Sequence, residues 1–175
     1  MQNNLGGFSF IEILVALTII GIISAVGMVF YQSAMKKARD ARRKADLEQI
    51  RSALEIYKAN DINNNYPTTS GWWGACSNFG SHADSGATGY VPNLAPQYMQ
   101  KLPHDPKEGL TTIPYCGGPG ASTGACYLYM SDGIDYKLLA HCTPEGTMST
   151  TDPYFDPARP TWAWQVSSGP NSLGW

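Results

Sequence analysis

The chain has 175 residues, with 12 Lys/Arg against 14 Asp/Glu and a formal net charge of −2. That length holds one modest domain and excludes two large ones. The acidic balance excludes a chain that grips nucleic acid through an all-over basic surface. Charge is instead segregated. An apolar head carries one acid, Glu12. A basic neck from Lys36 to Lys58 holds eight Lys/Arg and four Asp/Glu, and an acidic body from Ala59 to Trp175 holds four against nine.

The first predicted element is an apolar helix. Phe8 to Tyr31 reads "FSFIEILVALTIIGIISAVGMVFY" with no proline, and Gly21 and Gly27 are its two glycines. As a helix it spans about 36 Å, enough to cross a hydrocarbon core of about 30 Å. A cleaved secretory signal fits poorly, because "MQNNLGG" has no Lys or Arg and the apolar core is too long. A plain anchor leaves Glu12 unexplained. A carboxylate deep in lipid costs about 3 kcal/mol, so this one must lie near an interface, be protonated or be paired.

These residues carry a resemblance. "GGFSFIE", followed by the unbroken run "ILVALTIIGIISAV", resembles the type IV prepilin signature: a short leader ending in glycine, then an aromatic residue, then a glutamate four residues later. The resemblance implies cleavage between Gly7 and Phe8 by a prepilin peptidase/methyltransferase, with Phe8 N-methylated. It also implies that Glu12 pairs with a neighbouring subunit's amino terminus during fibre assembly. Two opposite charges that are each costly in lipid offset one another when paired. Three features depart from the family pattern. The leader lacks Lys and Arg. No proline stands near Gly27–Val29. Lys36, Lys37, Arg39, Arg42, Arg43 and Lys44 follow the span; the positive-inside rule then places the body in the cytoplasm, whereas the family places it outside.

The neck has no Gly or Pro and is rich in strong helix formers, so the first helix is expected to continue to about Lys58. Leu47, Ile50, Leu54 and Tyr57 recur at helical spacing and should pack on the body. Ala34, Ala38, Ala41 and Ala45 form a small-residue face on which another helix can approach. The neck's charges read first as a solvated helix face, and otherwise as contacts for anionic lipid or acidic neighbours. "DINNNYP" ends the helix by turn chemistry and Pro67.

The body opens with a long Gly/Ser/Asn-rich stretch, which Trp72 and Trp73 are expected to pin to the core. Leu102, Pro103, Asp105 and Pro106 resemble a segment of secretion-type pilin-like proteins that precedes their sheet. "CYLYMSDGIDYKLLA" predicts a hairpin with a two-residue turn at Asp132-Gly133. A last strand is predicted at "TWAWQV", with Trp162, Trp164 and Val166 on one face. Asp132 and Asp135 are the alternative reading of this hairpin, as a calcium loop of the kind the secretion-type relatives use. Too few acids cluster for that, so no cofactor is expected. His82, His104 and His141 are scattered and read as loop or surface residues.

Cys76, Cys116, Cys126 and Cys142 form an even set with no C-x-x-C pair, which suits disulfides in an oxidising compartment. With a two-residue turn, Ser131 faces Ile134 and Cys126 faces Leu139. Cys126 and Cys142 then lie roughly 10 Å apart at about 3.3 Å per residue, beyond the disulfide limit of about 7 Å. That removes one of the three connectivities; of the two left, Cys116–Cys126 with Cys76–Cys142 is favoured, because the first closes "GGPGASTGA" as a local loop and the second ties the early loop to the sheet. Gly120-Ala121-Ser122-Thr123-Gly124 matches G-x-S-x-G but lacks the strand–turn–helix context of a nucleophile elbow, and no enzyme is expected.

The expected fold class is α+β. A long N-terminal helix, transmembrane in its first half, packs against a small antiparallel β-sheet head with long disulfide-bearing loops. Residues 1–7 are the cleaved leader and 8–58 the helix, of which 8–31 is the membrane or fibre-core segment. Residues 59–175 are the head, on which 34–58 pack. The expected function is a structural subunit of a type IV pilus-like filament. The alternatives are the major pseudopilin of a type II secretion system and, in another class, a membrane-anchored extracytoplasmic binding module. Expected partners are identical subunits, the peptidase, an inner-membrane assembly platform and membrane lipid before assembly, with DNA left open. The expected location is the inner membrane as a single-pass precursor, then a periplasmic or cell-surface filament.

Overall fold

The computed structural model describes residues 9–108 and 126–175. Helix α1 runs from Phe10 to Asn60. The absence of proline and the Ala/Leu/Glu/Lys/Arg content of the neck sustain it through 51 residues. It ends as the turn residues require. Asn60 Nδ2 donates to the Ile56 carbonyl at 2.7 Å, and the Asp61 carboxylate accepts the backbone N–H groups of Asn63 and Asn65.

The chain divides into two compact units, one up to Ala38 and one from Arg39 onward. Up to Ala38 the described part is the apolar half of α1. The second unit holds the rest of α1 and a four-stranded antiparallel sheet: β1 (Trp73–Gly74), β2 (Cys126–Ser131), β3 (Tyr136–His141) and β4 (Ala163–Ser167), paired in that order. The α+β reading of the sequence holds.

One face of the sheet meets the helix. Leu47, Ile50 and Leu54 are fully buried against Tyr129, Leu138 and Trp164. The predicted helical stripe is therefore the core stripe, with Tyr57 packed at its margin. The opposite face buries Leu128, Leu139 and Cys126 under Trp72 and Phe79. Trp72 and Trp73 are adjacent, so they serve different faces: Trp72 covers the outer cluster and Trp73 joins the main core. In β4, Trp164 and Val166 enter the main core, but Trp162 does not. It stands before the strand, with its ring edge-on to His141 at 5.2 Å.

The hairpin register differs from the expected one. Ser131 pairs with Tyr136 and Cys126 with His141, so residues 132–135 form a four-residue loop. The Asp132 carboxylate accepts the N–H groups of both Ile134 and Asp135, at 2.9 and 2.8 Å. This side-chain capture keeps both residues out of the ladder. Gly133 supplies the positive φ of 97°. Asp135 in turn accepts from Ser168 Oγ and Asn171. Both carboxylates of the considered calcium loop are thus engaged with the chain, and among the described residues no three His, Cys, Asp or Glu side chains converge on a metal position.

The pairing of β1 with β2 corrects the disulfides. Cys76 bonds to Cys126, with Cα atoms 5.8 Å apart. β1 pairs Trp73 with Tyr129 and Gly74 with Leu128, so two further steps along the antiparallel pair bring Cys76 opposite Cys126. The expected Cys116–Cys126 and Cys76–Cys142 pairs are therefore both overturned. The exclusion of a Cys126–Cys142 bond holds, since Cys126 is bonded to Cys76, but the register behind it differs: His141, not Leu139, faces Cys126. Cys142 is disulfide-bonded as well. Cys116 and the G-x-S-x-G run at 120–124 lie outside the described residues.

Candidate processing and assembly segment

The start of α1 is built from "SFIE". Ser9 stands just before the first helical residue, and Glu12 is three residues on. Glu12 Oε2 accepts the Ser9 N–H at 2.8 Å, while the Glu12 N–H donates to the Ser9 carbonyl at 3.0 Å. This is the carboxylate arm of a capping box. It also sets the negative charge at the positive end of the helix dipole. The two effects lower the cost of a carboxylate at this position without any second chain. The Ser-x-x-Glu spacing was legible in the sequence as a cap, a role the sequence reading did not assign. Gly7 and Phe8, the expected cleavage pair, lie outside the described residues.

Beyond Glu12 the helix is apolar on every side. Phe10 is 83% exposed, Ile22 65%, Ile23 66% and Phe30 71%. Its most apolar stretch is long enough to cross a membrane, and none of that stretch is buried. A helix that is hydrophobic all round belongs in a core or in lipid, and an exposed apolar surface of this extent marks an interaction surface. Ala34, Ala38, Ala41 and Ala45 are also exposed.

The neck corrects the expectation of a solvated basic face. Arg43 is fully buried and forms a bidentate pair with Asp105, at 2.8 and 3.2 Å, both side chains being wholly inaccessible. Its third contact is Asp40, at 2.8 Å, and Glu145 lies at 3.2 Å. Arg39 grips Glu145 through two hydrogen bonds of 2.6 and 2.7 Å, and Lys107 reaches the same carboxylate at 2.8 Å. Asp40 also accepts the backbone N–H groups of Glu145 and Gly146. Three cations thus meet three carboxylates, and the cluster is neutral.

The hydrogen bonds from Arg39, against the cost of burial and with help from Lys107 and Arg43, hold Glu145 down at about 2. Burial alone would lower Arg43, but the hydrogen bonds and charge of Asp105 outweigh it and hold the guanidinium above its ordinary value. The segment resembling secretion-type proteins has its explanation here. Leu102 is in the core, Asp105 is the counter-ion of Arg43, and the Pro103 carbonyl accepts the buried Tyr90 hydroxyl at 2.8 Å.

Further along α1 the pattern continues. Lys44 pairs with Asp152 at 2.6 Å, and Asp46 accepts the Tyr127 hydroxyl at 2.7 Å. Glu55 accepts the Tyr66 hydroxyl at 3.0 Å. The neck's polar residues are therefore largely the seam between helix and sheet. Arg42, Lys36 and Lys37 face solvent.

Residues 3–28 match the profile of the prokaryotic N-terminal methylation motif. The chain is 28% identical over 177 residues to the type II secretion system core protein G of Dickeya chrysanthemi, covering 99% of this chain and 95% of that one. The chain therefore carries a prepilin-type methylation motif and is similar along its length to a type II secretion core protein G. The core protein G of Aeromonas hydrophila is 28% identical to this chain over 108 residues, which is 57% of it and 66% of the relative. No solved structure is significantly similar to it. The matched motif covers Ser9, Glu12 and most of the exposed apolar helix, so the capping geometry belongs to the methylation motif itself.

Proposed function

We propose that the chain is a structural subunit of a type IV pilus-like filament. It enters the inner membrane as a single-pass precursor and is cut between Gly7 and Phe8, and Phe8 is then N-methylated. The apolar half of α1 leaves lipid to pack among identical helices, and Glu12 sets register against the adjacent subunit's amino terminus. The head faces outward in an oxidising compartment. The observation that carries this reading is an apolar helix, exposed on all sides, whose sole acid sits in its first turn inside the methylation motif. Both relatives are named for type II secretion. That favours a secretion pseudopilin making a periplasmic fibre over a surface pilus. An assembly platform in the inner membrane and a prepilin peptidase complete the set of partners. The exposed lysines of the neck, Lys36 and Lys37, lie beside the lipid surface in the precursor.

Glu12→Ala tests the register role. Processing, read by the mass of the mature chain, is expected to continue, since the cut lies at Gly7–Phe8. Filaments seen by electron microscopy are expected to disappear. Normal filaments from this variant would refute the pairing.

A further inference from the structure

We propose that the head carries a binding site for an extended peptide segment, which adds as a strand to the free edge of β4 at Gln165–Ser167. The site is distinct from the apolar helix and does not depend on the filament reading.

The ladder fixes which main-chain groups are free. Ser168 N–H donates to the Tyr136 carbonyl and Cys142 N–H to the Trp162 carbonyl. In an antiparallel pair such bonded positions alternate, so Ala163, Gln165 and Ser167 direct their N–H and C=O groups away from β3. The first part of this edge is covered. Ala163 N–H donates to the Arg159 carbonyl and Gln165 N–H to the Tyr154 carbonyl, beside a bridge between Phe155 and Trp164. The covering strand then leaves. The next residue outward is Pro153, which has no N–H, and the Tyr154 N–H is taken by the Asp152 carboxylate at 3.0 Å. The Gln165 carbonyl and the Ser167 N–H are left without a partner among the described residues. They stand two residues apart on one side of the strand, the spacing that one residue of an added parallel strand bridges with its own N–H and C=O.

A second observation points to the same place. Gln165 is 5% exposed. Its Nε2 donates to the Phe155 carbonyl at 3.1 Å, but its buried Oε1 has no partner. A buried carbonyl oxygen left unpaired carries a desolvation cost that a ligand's N–H or O–H removes. Gln165, Val166 and Ser167 line a cavity of about 520 Å³ whose other walls include Glu48, Arg51 and Tyr154. Glu48 and Arg51 are paired there at 2.7 Å, so the rim offers one charge of each sign. A main chain is the ligand whose donor and acceptor match the open edge. A residue such as Asn or Thr in that strand supplies the donor that Gln165 Oε1 lacks.

The test uses the full chain in detergent micelles and a fluorescein-labelled octapeptide of alternating Val and Thr with a central Asn, followed by fluorescence anisotropy. Ser167→Pro removes the edge N–H. Proline is tolerated on a strand edge whose N–H faces outward, so the head should still fold. Gln165→Leu removes the unpaired acceptor and leaves the edge intact. Saturable binding is expected for the unaltered chain, with affinity at least tenfold lower in each variant and for a peptide N-methylated at its central residues. No saturable binding by the unaltered chain at millimolar peptide, or equal binding by both variants, overturns the proposal.

Discussion

Arg43→Ala is expected to destabilise the head by about 3–5 kcal/mol, the cost of breaking a buried ion pair from one side. The size follows from what is left behind. Asp105 has a wholly inaccessible side chain, and its bidentate partner would be gone. Asp40 and Glu145 would each lose one further contact, although Glu145 keeps Arg39 and Lys107. Water cannot reach Asp105 without opening the seam between α1 and the segment after Leu102. Arg42→Ala is the matched control. Its side chain is 63% exposed and meets Asp46 at 3.8 Å, and loss of such a surface contact is worth about 0.5 kcal/mol or less. Urea unfolding of the two variants followed by circular dichroism reads the difference; equal midpoints would show that Arg43 is not the keystone of the seam. The same cluster adds a pH dependence in acid. Glu145 has a folded value of about 2, lowered from 4.5. Its contribution is complete above about pH 4.5 and is lost as pH falls toward 2, because the unfolded chain takes up the proton first. The difference between the unaltered chain and Arg39→Ala, which removes the largest cause of the lowered value, should shrink across that window.

Removing the Cys76–Cys126 bond by a double alanine substitution is expected to cost about 4 kcal/mol. This is the loop-closure entropy of a span of some 50 residues, with the native fold otherwise kept. The bond joins β1 to β2, and β1 is two residues long. The alternative pairing of Cys126 with Cys116 would close a loop of about ten residues and stabilise less. Non-reducing proteolysis separates the two. A peptide linking Cys76 to Cys126 is expected, and one linking Cys116 to Cys126 would contradict the register from which the bond follows.

The helix was legible in the sequence, and the way its charges are used was not. Proline-free composition and the Leu47, Ile50, Leu54 stripe are local signals, and α1 ends within two residues of the expected Lys58. Arg43 and Asp105 are 62 residues apart, and no period marks one arginine among six cations as the buried one. That partner also bears on topology. Arg39, Arg43 and Lys44 each hold a fixed carboxylate in the head, so half of the cations that opposed the expected orientation are structural ion pairs. β1 was missed because two residues in a Gly/Ser-rich stretch carry no alternation. The hairpin was placed correctly, but its register was not. The Asp-Gly dipeptide suggests a two-residue turn, whereas the Asp132 side chain caps two amides and lengthens the loop. The disulfides were assigned on local loop closure, whereas Cys76 meets Cys126 through the β1–β2 pairing that no local signal announced.

The carboxylate at the helix start serves its own chain as a cap, and the filament reading requires that a newly freed amine meets it from next door. Intact-mass and peptide mass spectrometry of fibres sheared or isolated from the envelope tests this most directly. The account expects a chain beginning at N-methylated Phe8. A chain in the fibres that still begins at Met1 would contradict it.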